Sequence, residues 1–188
     1  MKNIKSLTLT ALLAALTCVA TMIIRFPTPS FGYIHLGDSL VLLSGFLLGP
    51  VYGAFAAGIG SMFADLLSGY ATFAPGTLII KALCAFVAGT LFAKFHNQKF
   101  RLLIGGVTGE FIMVAGYFFY QILLLFLSAS ATGFSLNAAV LSSASGIIFN
   151  IIQGLSGIIV SSMLYPLLWK NAYIRQLMVN EAFAYSTK

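Results

Sequence analysis

Residues 38–68 read "DSLVLLSGFLLGPVYGAFAAGIGSMFADLLS", and this stretch decides how the chain is organised. Between Asp38 and Asp65 it contains no charged residue. It is too long for one straight membrane span, which needs about 20 residues. Gly49-Pro50 divides it, because proline suits the first turn of a new helix but breaks an existing one. The stretch therefore predicts two short helices, 38–48 and 51–68, joined by a tight turn.

The composition of the whole chain indicates whether it folds in water or in a membrane. The chain has 188 residues, of which 60% are hydrophobic and only 7% are charged. A soluble domain of this length carries about 25% charged residues. Alternating strands typical of an outer-membrane barrel are absent from the sequence. We therefore expect one all-α integral membrane domain over residues 1–188, in contact with membrane lipid. The scattered basic residues form no patch that predicts nucleic-acid binding.

The apolar runs predict a compact bundle of six transmembrane helices. Their approximate bounds are 6–24, 38–48, 51–68, 76–95, 101–127 and 138–168. An even number of spans places both termini on one side of the membrane. Most basic residues then fall on that side: Lys2, Lys5, Lys94, Lys99, Arg101, Lys170, Arg175 and Lys188. The positive-inside rule predicts that both termini are cytoplasmic, with Arg25 on the outer side.

The outer loops 25–37, 69–75 and 128–137 are longer and more irregular than the inner turns. Irregular loops at one face of a helical scaffold commonly build a ligand site. We therefore look for binding residues in these loops and in the outer halves of the helices.

Ionisable side chains within the apolar runs are the first candidates. Charges inside a membrane face protein or water, and they mark ligand sites or internal pairs. Asp65, Lys81 and Glu110 fall in this class. They are expected either to pair with one another or, for Lys81, to contact a ligand.

Aromatic and amide side chains are the second group of candidates. Tyr117 and Gln121 lie four residues apart on one face of a predicted helix, with Tyr120 nearby, and Asn150 and Gln153 are near neighbours in the last helix. Rings that stack on a planar ligand, with amides that fix its edge, suit a small polar heterocycle. The alternative is that the tyrosines form an interfacial belt and the amides bridge helices.

His35 and Asp38 precede the first of the two short helices. Two such ligands predict a metal site only weakly, and no metal is expected. Asp38 is interpreted as a structural cap that accepts free N–H groups at the helix start and orders the loop with His35 above a pocket. Neither a nucleotide-binding P-loop nor a catalytic triad or HExxH motif occurs, so we expect no enzyme activity and no cofactor in this chain.

Small residues recur four apart in several helices. Gly45, Gly49 and Gly53 form one such row, and Ala11 and Ala15 form an AxxxA pair in the first helix. Small residues permit close approach of helices in lipid, so internal packing is the general interpretation. For Ala11 and Ala15 an exposed docking surface is the alternative.

The run "YIHLGDSLVLLSGFLLGPVYGAFAAGIGSMFADLL", residues 33–67, together with the AxxxA pair, resembles the S component of an energy-coupling factor (ECF) vitamin transporter. The resemblance covers the membrane region and is strongest to the hydroxymethylpyrimidine or pyridoxine subgroup. It implies a prokaryotic plasma-membrane subunit that captures a vitamin from outside. It further implies docking on a transmembrane coupling subunit that is driven by two ATPases, which use the ATP.

The resemblance also implies residue roles. Ala11 and Ala15 become the docking surface for the coupling subunit. The substrate-binding candidates become His35, Lys81, Tyr117, Gln121, Asn150 and Gln153. Lys2 stands where metal-transporting members have a histidine, which disfavours a metal substrate. The alternatives are an S component for riboflavin or another vitamin, a self-sufficient secondary transporter, an intramembrane enzyme and a purely structural subunit.

Overall fold

A computed structural model of the protein describes residues 2–28, 33–132, 135–172 and 175. Parts of the predicted outer loops 25–37 and 128–137, and Lys188 with the tail from 176 onward, lie outside the described residues. The described elements are, in order, α1 (Lys2–Ile23), β1 (Arg25–Pro27), β2 (Tyr33–His35), α2 (Asp38–Leu67), α3 (Ala74–Lys94), α4 (Arg101–Thr132) and α5 (Leu136–Lys170). Each helix contains an apolar stretch long enough to cross a membrane.

The prediction of six transmembrane helices is wrong, because the described residues form five helices. The stretches predicted as separate helices, 38–48 and 51–68, belong to the single element α2. Only Gly49 leaves helical geometry, with φ 77° and ψ 179°, and the helix resumes directly at Pro50. No loop separates the two halves, because proline is accommodated in a first helical turn without its missing N–H group.

The predicted break at Gly49-Pro50 is nevertheless present, as a sharp bend within α2. A positive φ favours glycine, which has no Cβ to clash. A Cβ added to Gly53 would lie 2.6 Å from the carbonyl oxygen of Ser44. In a straight helix, residues nine apart are separated by about 13 Å. The two halves of α2 therefore lie side by side, and both ends of α2 lie at the same end of the bundle.

Helix α2 forms the centre of the bundle, and α1, α3 and α5 pack around it. Close approach to α3 depends on two glycines that face each other. A Cβ on Gly89 would lie 2.6 Å from the carbonyl oxygen of Gly45. Phe46 and Phe92 fill the core beside this contact, with ring centroids 5.1 Å apart. The packing role of the small-residue row is thus confirmed for Gly45 and Gly53.

A short antiparallel hairpin links α1 to α2, where the sequence predicts only an irregular loop. Arg25 pairs with His35, Phe26 with Ile34 and Pro27 with Tyr33. The hairpin fixes the backbone of β2 directly before α2, so Tyr33 and His35 are held at the rim of the bundle.

The helices define two ends of the bundle. At one, the pocket end, the hairpin, both ends of α2 and the start of α3 meet around Tyr33, Asp65 and Thr77. At the other, the basic end, the bend of α2, the α3–α4 turn and the end of α5 meet around Gly49, Arg101 and Trp169. Thr21 packs against Gly37 at the pocket end. Because α1 is 22 residues long, its start lies at the basic end, where α5 also finishes.

Candidate functional site

A polar cleft opens at the pocket end of the bundle. Its volume is about 510 Å³, counted with the solvent at its mouth. The hairpin, α2, α3, α4 and α5 all contribute to it, together with the α2–α3 loop. Its lining residues are Thr28, Tyr33, His35, Asp65, Tyr70, Phe73, Thr77, Tyr117, Gln121, Asn150 and Gln153.

A buried ion pair supports the floor of the cleft. Lys81 Nζ donates to Asp38 Oδ1, and both side chains are fully buried. Gln153 Nε2 donates to Asp38 Oδ2 at 2.7 Å, and its Oε1 accepts from the backbone N–H of His35 at 3.0 Å. Each group satisfies the next, as a buried ion pair requires if it is not to destabilise the fold. The network connects α2, α3, α5 and β2 beneath the cleft.

His35 closes one side of the floor as a neutral imidazole. Its Nδ1 accepts a hydrogen bond from the backbone N–H of Gly37 at 3.0 Å. Burial lowers the pKa of His35 to about 4, although the nearby Asp38 carboxylate opposes this shift. With Nδ1 as an acceptor, the proton of the neutral ring resides on Nε2.

Aromatic side chains and Asp65 form one wall. The Tyr33 hydroxyl donates to Asp65 Oδ1 at 2.6 Å. Burial and the Asp65 carboxylate both raise the pKa of Tyr33, so its proton stays in place. Asp65 Oδ2 is buried and makes no hydrogen bond within the described part of the chain. The rings of Tyr33 and Tyr70 lie 4.7 Å apart, and Phe73 continues the aromatic surface.

Tyr117 dominates the opposite wall. Its hydroxyl lies 3.0 Å from Thr77 Oγ1, and its ring lies 5.2 Å from Lys81 Nζ. The lysine charge therefore faces a π-surface as well as Asp38. Gln121 is buried beside Tyr117, and Asn150 is half-buried on α5. The Asn150 amide makes no hydrogen bond to the described residues.

The structure brings five of the six predicted binding residues to the cleft: His35, Tyr117, Gln121, Asn150 and Gln153. Lys81 does not line it, because the ion pair with Asp38 holds the ammonium group behind Tyr117. Contact of the five lining residues with a ligand remains a prediction. Asp38 is not the predicted cap: Gly37 occupies the N-cap position, and no side chain caps the helix. The Asp38 carboxylate instead faces inward to Lys81 and Gln153.

The prediction that Asp65, Lys81 and Glu110 pair with one another is wrong, because Lys81 pairs with Asp38 instead. The ion pair found among the described residues is Lys81–Asp38. Both carboxylate oxygens of Glu110 are buried, and neither makes a hydrogen bond to a described residue. Glu110 instead packs against α5, where a Cβ on Gly154 would lie 3.2 Å from its Oε2.

Tyr33, Asp65, Tyr70, Phe73 and Thr77 are lining residues that the sequence reasoning did not select as binding candidates. The loop "GYATFAP", residues 69–75, carried a usable signal, because it places two aromatic residues in a predicted outer loop. Tyr33 has no such signal, since its position depends on the unpredicted hairpin.

Ala11 and Ala15 lie on the exposed face of α1, away from the cleft. The opposite face of α1 is buried and carries Thr10, Leu13 and Thr17. Because both alanines are exposed, packing within the described chain does not explain why these positions are small. Their docking role remains a prediction.

The described residues form five helices that are long and apolar enough to cross a membrane, with a polar cleft at one end of the bundle, and these features define a helical membrane protein. Residues 1–170 match the family described as "ECF-type riboflavin transporter, S component". The chain therefore belongs to the S components of ECF-type transporters, as the resemblance in the sequence indicated.

Individual relatives agree with this assignment. The chain is 31% identical over 169 residues to the thiamine precursor transporter HmpT of Lactococcus lactis subsp. cremoris (strain MG1363). The aligned region covers 89% of each protein. It is also 42% identical over 100 residues to a Pyrococcus woesei protein described as an "uncharacterized protein in gap 3'region", covering 53% of this chain and 66% of that protein.

Two solved structures share the fold. The first, from a study of the structure and mechanism of the S component of a bacterial ECF transporter, has a TM-score of 0.62 and 24% identity, covering 89% of this chain and 97% of that chain. The second is the S component for biotin from an ECF-type ABC transporter, with a TM-score of 0.55 and 20% identity, covering 87% of this chain and 92% of that chain. At these identities the likeness shows the fold alone.

Proposed function

We propose that this protein captures a small ring vitamin or vitamin precursor from outside the cell, with hydroxymethylpyrimidine favoured and pyridoxine next. The observation that carries the proposal is the lining of the cleft, which combines aromatic rings, the amides of Gln121, Asn150 and Gln153 and the Asp65 carboxylate. The 31% identity to a thiamine precursor transporter supports the same choice of substrate.

The lining matches the chemistry of an aminopyrimidine. A flat ring of this kind stacks on aromatic side chains, and Tyr33, Tyr70 and Tyr117 supply such surfaces. Its amino group is a hydrogen-bond donor, for which Asp65 Oδ2 is a buried acceptor that makes no hydrogen bond to a described residue. Its ring nitrogens are acceptors, for which the Asn150 amide is a donor. The neutral His35 and the internally paired Lys81 place no free positive charge at the cleft, so its lining does not favour an anionic ligand.

Transport then depends on partners rather than on this chain. We propose that the exposed Ala11 and Ala15 dock on a transmembrane coupling subunit that is driven by two ATPases. The ATP is bound and hydrolysed by those partners, and this chain performs no enzymatic step. The small side chains on an exposed helix face permit a close helix–helix contact in lipid.

The proposed orientation places the pocket end outside the cell and the basic end in the cytoplasm, within a prokaryotic plasma membrane. The bend of α2 supports both termini on one side, since it returns the chain to the pocket end before α3 begins. Lys94, Lys99, Arg101 and Lys170 lie at the basic end, which fits the positive-inside rule.

The test is native mass spectrometry of the purified full chain with an equimolar panel of hydroxymethylpyrimidine, pyridoxine, thiamine and riboflavin. We expect one equivalent of hydroxymethylpyrimidine to be retained in preference to the others. Selective retention of riboflavin would instead support the second candidate cargo, which the family description favours. Retention of no compound by a folded, monodisperse sample would contradict substrate capture.

A further inference from the structure

A second cleft lies at the basic end, at the opposite end of the bundle from the polar cleft. Its volume is about 740 Å³, counted with its open mouth. The bend of α2 forms its base through Gly49 and Pro50, and Gly89 of α3 borders it. Because glycines line the base, the cleft reaches deep between the helices.

Aromatic rings form the walls of this cleft. Tyr165 and Trp169 are stacked, with centroids 5.6 Å apart and an interplanar angle of 16°. Phe92 packs edge-on against Tyr165 at 5.1 Å, and Phe46 lies behind them. The walls are apolar over their length, so they suit a hydrocarbon chain better than a hydrated solute.

The rim of the cleft carries a guanidinium group that has no acidic partner among the described residues. The Arg101 guanidinium lies 4.3 Å above the Phe92 ring, and Nη1 donates to the backbone carbonyl of His96 at 3.3 Å. The ion pair of the described chain is Lys81–Asp38, so Arg101 pairs with no described carboxylate. A guanidinium has five N–H donors, and most of those on Arg101 remain available. Lys94, Lys99 and Lys170 lie at the same end and add positive charge.

We propose that this cleft binds an anionic phospholipid, with the phosphate on Arg101 and one acyl chain against the aromatic wall that ends at Trp169. Arginine favours phosphate because its planar donors match two phosphate oxygens. Basic pockets between transmembrane helices bind anionic lipid head groups in this way. A soluble anion would use only the rim, whereas a lipid fills the charged rim and the aromatic slot together. Exposed Leu103 and Leu167 on the neighbouring helices keep the surroundings apolar.

The single tryptophan makes the test direct, because Trp169 lines the proposed lipid slot. The full chain is placed in phosphatidylcholine nanodiscs that contain increasing fractions of phosphatidylglycerol brominated in its acyl chains, since bromine quenches tryptophan fluorescence on contact. Brominated phosphatidylcholine at the same fractions is the control. We expect half-maximal quenching at about a five-fold lower fraction of the anionic lipid, as follows from roughly 1 kcal/mol per basic residue near a membrane surface.

Arg101→Gln is expected to remove this preference, and Arg25→Gln is the matched control, because Arg25 is an exposed arginine at the pocket end. An unchanged circular dichroism spectrum and a monodisperse elution profile confirm the fold of each variant. Equal quenching by both lipids in the wild-type chain would overturn the proposal, whatever the variants do. Relief of quenching by millimolar inorganic phosphate would overturn it in favour of a soluble anion. Equal quenching combined with loss of coupling-subunit binding in Arg101→Gln would identify a protein-docking surface instead.

Discussion

The two ends of this bundle differ in whether their basic side chains are paired. At the pocket end, Lys81 is buried and paired with Asp38, and Gln153 donates a hydrogen bond to the second carboxylate oxygen. At the basic end, Arg101 stands at the rim of its cleft with no described acidic partner. A charge that is paired internally organises a polar site without leaving a net charge of its own there. Charge left open attracts an anion or orients the chain in the membrane. The difference shows that position along a span decides whether a basic residue is structural or available.

Removal of the buried ammonium should have the largest effect. We expect Lys81→Met to destabilise the fold by about 3 to 5 kcal/mol, because it leaves the Asp38 charge buried without its partner. Equilibrium unfolding in mixed detergent micelles measures this change. Lys94→Met, an exposed lysine at the end of α3, is the matched control and should be nearly neutral.

The double variant Asp38→Asn/Lys81→Met separates charge from packing. It removes both charges, so it should recover part of the stability that Lys81→Met loses. If the double variant is as unstable as the sum of its two single variants, the ion pair is not the reason for the loss.

A histidine at the pocket end extends the comparison to pH. Burial lowers the pKa of His35 to about 4, whereas a histidine in an unfolded chain has a pKa of about 6.5. The unfolded chain therefore binds a proton at His35 more readily than the folded chain does. The stability contributed by neutral His35 is complete above about pH 6.5 and is lost as the pH falls to about 4, by about 3 kcal/mol in total.

We expect the stability of the wild-type chain to fall between pH 6.5 and pH 4 more steeply than that of His35→Gln. The slope of stability against pH is compared, since the substitution also changes packing. Gln98→Ala, an exposed uncharged residue between α3 and α4, is the control and should keep the wild-type slope. Parallel slopes for wild type and His35→Gln would remove His35 from this assignment.

A smaller effect is expected from Asn150, which is proposed to bind the substrate. Asn150→Ala should weaken vitamin binding about tenfold, which corresponds to the loss of roughly one hydrogen bond. Asn97→Ala, an exposed amide in the α3–α4 turn, should leave affinity unchanged. Titration calorimetry of the purified chain measures both. Gln153→Ala should also weaken binding, but with a loss of stability, because Gln153 holds Asp38 and the His35 backbone.

The sequence was sufficient for the features that depend on local chemistry. Hydropathy predicted the membrane helices, and Gly49-Pro50 predicted the place where α2 bends. Tyr117 and Gln121, four residues apart on α4, were predicted to share a face and do line the cleft. The predicted number of helices was wrong because the helix resumes at Pro50 without a loop. Gly49 alone leaves helical geometry, and the sequence does not show that one residue is enough to make the bend.

Long-range partners were the features that the sequence did not predict. Lys81 and Asp38 are 43 positions apart, and Gln153 and Asp38 are 115 apart. Local pattern offers no reason to choose Asp38 over Asp65 or Glu110 as the partner of Lys81. The choice depends on the bend of α2, which brings the start of that helix beside α3. The cap prediction for Asp38 failed for the same reason, since Lys81 and Gln153, which hold its carboxylate, come from distant parts of the chain.

The docking surface should show the smallest effect on the isolated chain. We expect Ala11→Trp and Ala15→Trp to leave stability and vitamin affinity unchanged, because both alanines are exposed on α1 and distant from the cleft. Assembly with the coupling subunit should be lost, since a bulky side chain prevents the close helix approach that small residues allow. Copurification with a tagged coupling subunit measures assembly, and vitamin uptake by cells measures transport.

Ala144→Trp, on an exposed position of α5, is the matched control and should assemble normally. Normal assembly of both α1 variants would place the docking surface elsewhere, while substrate capture at the pocket end would stand unchanged.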